Sequence, residues 1–183
     1  MKLTLHHLQA GTGCSAMRAA NWLAPIQRAC DHFEINTPTR LAAFLAQIGH
    51  ESGRLVYVRE IWGPTPAQAR YEGRADLGNT QPGDGKRYMG RGLIQTTGRA
   101  NYAATRDGLR QTHQAVPDFI ETPTDLELPE WAALSAAWYW HSRGLNALAD
   151  AGDFTRITKK INGGTNGMAD RLLLWGRAKE AFL

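Results

Sequence analysis

The sequence predicts a mainly α domain with a very small or absent sheet. Three observations carry this expectation. Large apolar residues recur at three- and four-residue spacing in several separate stretches. Apolar runs elsewhere are short, which leaves little material for strands. Seven of the 19 glycines fall between Gly63 and Gly92, and that stretch reads as loop.

In chain order, the first expected helix covers Ala16 to Phe33, with Met17, Trp22, Leu23, Ile26 and Phe33 near helical spacing. Pro25 inside it predicts a kink or a break at Ala24. Thr37-Pro38-Thr39 reads as a helix start, with Thr37 as N-cap and Pro38 at the first helical position. Leu41, Phe44, Leu45 and Ile48 follow as one apolar stripe, and Gly53 is a plausible stop. From Trp62 to Gly92 the pattern dissolves into Gly, Pro, Asp and Asn, with one helical turn expected around Pro66 to Tyr71. Loops of this length in compact domains are usually functional surfaces or disordered. Further helices are expected at Asn101 to Arg110, Pro129 to Arg143, Phe154 to Ile161 and Met168 to Phe182. Asn162-Gly163-Gly164 is a turn.

A chain of 183 residues suggests one domain, and its size supports a core without metal or disulfides. With 43% hydrophobic and 21% charged residues it has the composition of a soluble globule. The net charge of +4 favours anionic partners without naming one. Cys14 and Cys30, on one helix, would lie about 24 Å apart. A disulfide needs Cα atoms within about 7 Å, so both are expected as free thiols. No run approaches the roughly 18 apolar residues of a membrane span. The N-terminus lacks the apolar region of a signal peptide, so the protein is expected to stay in the cytoplasm unless something releases it.

Several motifs fail on inspection. His50-Glu51 lacks the second histidine of a zinc protease, because position 54 is Arg54. Gly83-Asp84-Gly85-Lys86 has the wrong spacing for a phosphate loop, and Gly90-Arg91-Gly92 lacks the third glycine of a dinucleotide fingerprint. No nucleic-acid motif stands out. No metal or cofactor is expected.

Two carboxylates remain. Glu51 continues the apolar stripe of its helix, where partial desolvation favours a protonated general acid. It could equally be a helix-end charge paired with Arg54. Glu60 lies nine residues on. In one continuous helix nine residues turn about 900° and rise about 13.5 Å, so the two side chains would face apart. If the chain leaves the helix at Gly53, Glu60 can fold back across a groove. Inverting glycosidases hold their carboxyls about 6.5–9.5 Å apart around a water. Read alone, Glu60 could also be a solvated loop charge beside Arg59.

Four segments resemble glycoside hydrolase family 19, in the family's order. They are Leu41 to Gly53 (the catalytic helix), Tyr88 to Tyr102 (the cleft segment), Ser135-Ala136-Ala137-Trp138-Tyr139-Trp140, and Ile161-Asn162-Gly163-Gly164. The nine-residue spacing of the glutamates and Gly78 to Gly85 are similar to the phage and prophage endolysin branch. Ala133 and Ala137 depart from the larger residues usual there. The resemblance implies a lysozyme-like α+β fold, with the glycine-rich loop as the flexible wall of a cleft between two helical lobes. One catalytic domain, residues 1–183, is expected, without a separate wall-binding module.

By position, the resemblance makes Glu51 the general acid, Glu60 the general base, and Thr97 a holder of the nucleophilic water. Gln95, Asn101, Asn162 and Arg171 match cleft positions that bind sugar or steady the carboxylates, and His50 and Tyr102 are expected as substrate-binding neighbours in the cleft. Trp62, beside Glu60, is the candidate sugar platform, whereas Trp131, Trp138, Trp140 and Trp175 read as core. The implied activity is inverting hydrolysis of β-1,4 bonds in peptidoglycan by a monomeric endolysin. It would be held in the host cytoplasm and released through a holin pore, with no nucleic-acid partner and no stable membrane association. The alternatives are a chitinase, a sugar-binding protein without catalysis, and a small basic nucleic-acid-binding domain.

Overall fold

A computed structural model describes residues 1–183. Ten α-helices follow one another: α1 Leu5–Thr12, α2 Ala16–His32, α3 Pro38–Glu51, α4 Pro66–Ala69, α5 Asp84–Arg87, α6 Arg99–Arg110, α7 Pro129–Ser142, α8 Leu145–Asp150, α9 Phe154–Asn162 and α10 Met168–Ala181. Short 3₁₀ turns cover Ala75–Leu77 and Pro123–Glu127. In place of a sheet there are two isolated antiparallel bridges, Arg59 with Arg91 and Arg91 with Thr96.

Capping chemistry sets several helix starts. Thr4, Ser15, Thr37, Thr65 and Asp153 each accept the backbone N–H three residues on. Such a cap is worth about 1 kcal/mol. Thr37 and Pro38 take the N-cap and first-turn places expected of them.

Three expectations need correction. Pro25 does not break α2, which runs through it; Pro25 is buried among the core residues of that helix, and packing outweighs the one lost backbone bond. The helix α1 was not expected at all, and neither was α8. The apolar stripe of α3 is wider than one face: every residue from Leu41 to Gly49 is buried. Ala42, Ala43, Ala46 and Gly49 fill its other faces, which lets α1, α8 and α10 enclose it. A second helical layer forms where α7 packs on α2 and α6. Ala133 and Ala137, the small residues of α7, are both buried, and Cys14 and Cys30 are buried free thiols.

The glycine-rich stretch is tied down by side chains bonding to backbone. Glu72 accepts the N–H groups of Gly83 (2.6 Å) and Gly85 (2.8 Å). Asp84 is buried and accepts Arg99 through both oxygens at 2.9 and 2.6 Å, which holds its carboxyl below the usual range. Asn79, also buried, donates to the Tyr71 carbonyl and accepts the Arg99 N–H. These bonds fasten residues 71–85 to the start of α6.

Candidate active site

Glu51 is the last residue of α3, and the chain turns sharply after it. Gly53, Arg54 and Leu55 take φ values of 56°, 67° and 61° in succession. Left-handed conformations cost non-glycine residues on the order of 1–3 kcal/mol each, and such strain gathers at functional sites. Here Ser52 supports the turn. Its hydroxyl donates to Ile48 and accepts the Leu55 N–H, while its carbonyl accepts Val56 and Tyr57. The reversal ends the helix before Glu60, so the two glutamates are freed from the helical phase that would point them apart.

Arg171 anchors Glu51. Only 2% of the arginine is exposed. Its Nη2 donates to Glu51 Oε1, its Nη1 donates to Gln47 Oε1, and its Nε donates to the Asn166 carbonyl at 3.2 Å. Gln47 in turn donates to Thr158 Oγ1 at 2.8 Å. Asn162 braces the same carbonyl, donating to it at 2.9 Å, and accepts the Gly164 N–H at 2.8 Å. Glu51 Oε2 takes part in none of these bonds.

Glu60 is held differently. Its Oε1 accepts Gln68 Nε2 at 3.0 Å and the Tyr71 hydroxyl at 3.4 Å, and its Oε2 accepts the Gly90 N–H at 3.1 Å. Gln68 is itself fixed at both ends, donating also to the Ile61 carbonyl and accepting the N–H groups of Gly63 and Thr65. Three donors converging on one carboxylate suit an anion.

Gly90 joins this glutamate to the cleft segment. A Cβ there would lie 2.8 Å from Gln95 Oε1 and 3.3 Å from Thr97 Oγ1. Glu60, Gln95 and Thr97 therefore gather around one residue that has no side chain. Gln95 has φ 57° and donates to the Gly92 carbonyl at 3.1 Å. Thr97 Oγ1 donates to the Gln95 carbonyl at 2.9 Å, which leaves its lone pairs as acceptors. Asn101 donates to the Thr97 carbonyl at 2.7 Å.

Two grooves border the 89–97 segment. One, of about 560 Å³, is lined by Glu60, Trp62, Tyr57, Ile61, Met89 and their neighbours. The other, of about 260 Å³, holds Gln95, Thr97, Asn101, Tyr139, Arg143 and Ile161. Trp62 reaches the first groove, its ring centroid 6.3 Å from that of Tyr71. The tyrosine hydroxyl at 139 is pushed above its usual range by burial, against the opposing charge of Arg143 and with a smaller push from the charge of Glu51.

Two further residues expected to bind sugar are engaged in bonds within the protein, and burial takes one of them, Tyr102, out of reach of a sugar. Tyr102 is fully buried; its hydroxyl donates to the Met89 carbonyl and accepts Arg91 Nη1 at 2.9 Å. One step beyond Asn101 on α6 turns it about 100° towards the core, where it braces the cleft segment from behind. His50 is half-buried with Nδ1 2.6 Å from Asp170, and its ring covers Gly167. Arg54 joins the same carboxylate. This cluster fastens the end of α3 to α10 beside Arg171.

Gln47, Gln68, Tyr71, Gly90 and Asp170 were missed as site residues. Two of them carry a signal in the chain. Gln47 stands four residues before Glu51, one helical turn away on the same face. Thr65-Pro66-Ala67-Gln68 has the form of a capping box, which fixes a glutamine side chain at the start of a helix.

No family model matches the chain. It is 34% identical over 161 residues to a glycosyl hydrolase family 19 domain-containing protein of Haemophilus influenzae, covering 73% of this chain and 76% of that one. An endochitinase of Arabidopsis thaliana is 36% identical over 124 residues, which are 68% of this chain but 39% of the plant protein. Among solved structures, chitinase C from Streptomyces griseus superposes with a TM-score of 0.73 at 24% identity, over 99% of this chain and 76% of that one. A bacterial family 19 chitinase gives 0.73 at 22% identity, over 100% and 95%. The mainly helical fold is shared with both.

Proposed function

The chain belongs to glycoside hydrolase family 19, and from that premise we propose that it cleaves the β-1,4 bonds of bacterial peptidoglycan by a single displacement. The observation that carries the mechanism is the unlike anchoring of the two glutamates. Glu51 presents Oε2 to the leaving oxygen, while Arg171 on Oε1 steadies the carboxylate left once its proton is given up. Glu60 is gripped by Gln68, Tyr71 and the Gly90 N–H as an anion, and it draws a proton from the attacking water. Thr97, whose hydroxyl proton is engaged by Gln95, accepts from that water and aims it. Water enters on the face opposite the leaving group, so the anomer inverts.

Peptidoglycan is supported by the endolysin-like features of the chain, the short spacing of the glutamates and the residues from Gly78 to Gly85. The net charge of +4 suits a polyanionic wall. In this role the enzyme lyses a host cell from within, reaching the wall through a holin pore.

Chitin is the second reading, favoured by the similarity to plant enzymes named endochitinases. Purified peptidoglycan and chitin oligomers, digested side by side, separate the two by the reducing ends released.

Glu51→Gln keeps the side chain's shape and removes the acid, and Glu60→Gln removes the base. Each is expected to lower release of reducing ends at least about a hundredfold, with the thermal transition retained. Near-normal turnover by either variant overturns the assignment.

A further inference from the structure

The larger groove contains two cations whose side chains no hydrogen bond ties down. Arg59 and Lys86 both line it and both are exposed. Arg59 Nη1 lies 3.7 Å from Glu127 Oε2, beyond hydrogen-bond reach. Glu127 already has a partner, since its Oε1 accepts the Nε of the buried Arg91 at 2.8 Å. Lys86 forms no ion pair, and its Nζ makes no hydrogen bond. The groove's anions are Glu60 and Glu127. With Arg91 standing behind Glu127, the local balance carries one cation in excess.

Chitin is uncharged along its whole length and gives such cations nothing to bind. Peptidoglycan differs at one place. Alternate sugars carry a 3-O-lactyl ether, which ends in a carboxylate or in a peptide bearing carboxylates. Tyr57, Ile61 and Trp62 wall the same groove. An anion seated against these surfaces can meet both cations, and hydrogen bonds between charged partners are stronger than neutral ones.

Resting on the reading of peptidoglycan as substrate, we infer that Arg59 and Lys86 are specificity determinants that take a carboxylate carried on the 3-oxygen substituent of the sugar seated beside Glu60. They touch neither the scissile bond nor the water. Their effect belongs in the choice between polymers.

The test compares the wild-type protein with Arg59→Gln/Lys86→Gln and with the charge-keeping Arg59→Lys/Lys86→Arg. Three substrates are used: intact peptidoglycan, glycan strands stripped of peptide by an amidase, and chitohexaose. The readout is the ratio of kcat/KM on each wall substrate to that on chitohexaose. For the glutamine pair the ratio is expected to fall about tenfold, mainly through KM, and the charge-keeping pair restores most of it. A fall confined to intact peptidoglycan assigns the carboxylate to the peptide, whereas a fall on stripped strands assigns it to the lactyl group. An unchanged ratio in the glutamine pair, with the wild-type protein cutting peptidoglycan, overturns the inference alone. Failure of the wild-type protein to release reducing ends from either wall substrate, while it cuts chitohexaose, overturns the substrate reading and the inference with it.

Discussion

Arg171 shows how much of the site depends on one buried side chain. Its three nitrogens serve Glu51, Gln47 and Asn166, each in a fixed direction. Lysine offers a point charge without the planar fork, so Arg171→Lys cannot hold Glu51 and Gln47 together. That variant is expected to lose about ten- to a hundredfold in kcat and about 2 kcal/mol in stability, read by reducing-end assay and urea melts. Gly90 makes the opposite kind of prediction. A methyl group there meets the far ends of Gln95 and Thr97, which can move aside, so stability should hardly change. The displaced groups flank the same residue whose N–H holds the carboxylate of Glu60, however. Gly90→Ala should therefore lower kcat about tenfold with Tm nearly unchanged, because small misplacements of positioned groups are costly. The glutamates and Thr97 stand out in the chain because a motif marks them, and Gln47 and Gln68 carry weaker signals of spacing and capping. Tyr71 and Asp170 carry none, because their roles depend on contacts that only the folded chain makes, Tyr71 with Glu60 and Asp170 with His50 and Arg54.

At the scale of elements, legibility followed burial pattern. Helices α2, α7, α9 and α10 carry enough large apolar residues to reveal themselves. Helix α1 has only Leu5 and Leu8 as large apolar residues, too few to mark a period, and its place is set by packing on α3 and α10. The crossing of α1 and α3 depends on two glycines. A Cβ on Gly49 would lie 2.6 Å from Thr12 Cα, and one on Gly11 would lie 2.7 Å from Leu45 Cβ. The first clash is with backbone, so the helices themselves must separate. Gly49→Ala is expected to cost about 1–3 kcal/mol despite alanine's better helix propensity. A shift in the urea midpoint checks it. Gly49 lies two residues before Glu51, so the same separation should also loosen the acid.

Titrating groups sit where separate elements of the molecule meet, and its acid stability should record them in two windows. The first concerns three histidines at neighbouring element ends. His32 ends α2, with its ring centroid 4.1 Å from that of His113, and His141 closes α7 nearby. Burial first, then the charges of His113 and His141, lower its affinity for a proton below the ordinary value of 6.5. The unfolded chain therefore binds more protons, and stability falls as pH drops below 6.5 towards the folded value. The second window is shared by carboxylates that arginines hold low, Asp84 and Asp150 among them, and by Asp170, which joins α10 to the end of α3. The Arg54 guanidinium, and then His50, hold its carboxyl at about 2 against 3.8. That stabilisation is complete above 3.8 and disappears as pH falls from there towards 2. Because a third of the side chain faces water, screening reduces the contribution to about 1 kcal/mol. Thermal melts from pH 7 to pH 2 should show both declines. His7 shares the upper window, so His32→Gln should lessen that decline and Asp170→Asn should lessen the lower one, each leaving the other in place. If Asp170→Asn leaves the slope between pH 4 and pH 2 unchanged, the clamp between α3 and α10 does not stabilise the fold as the geometry implies.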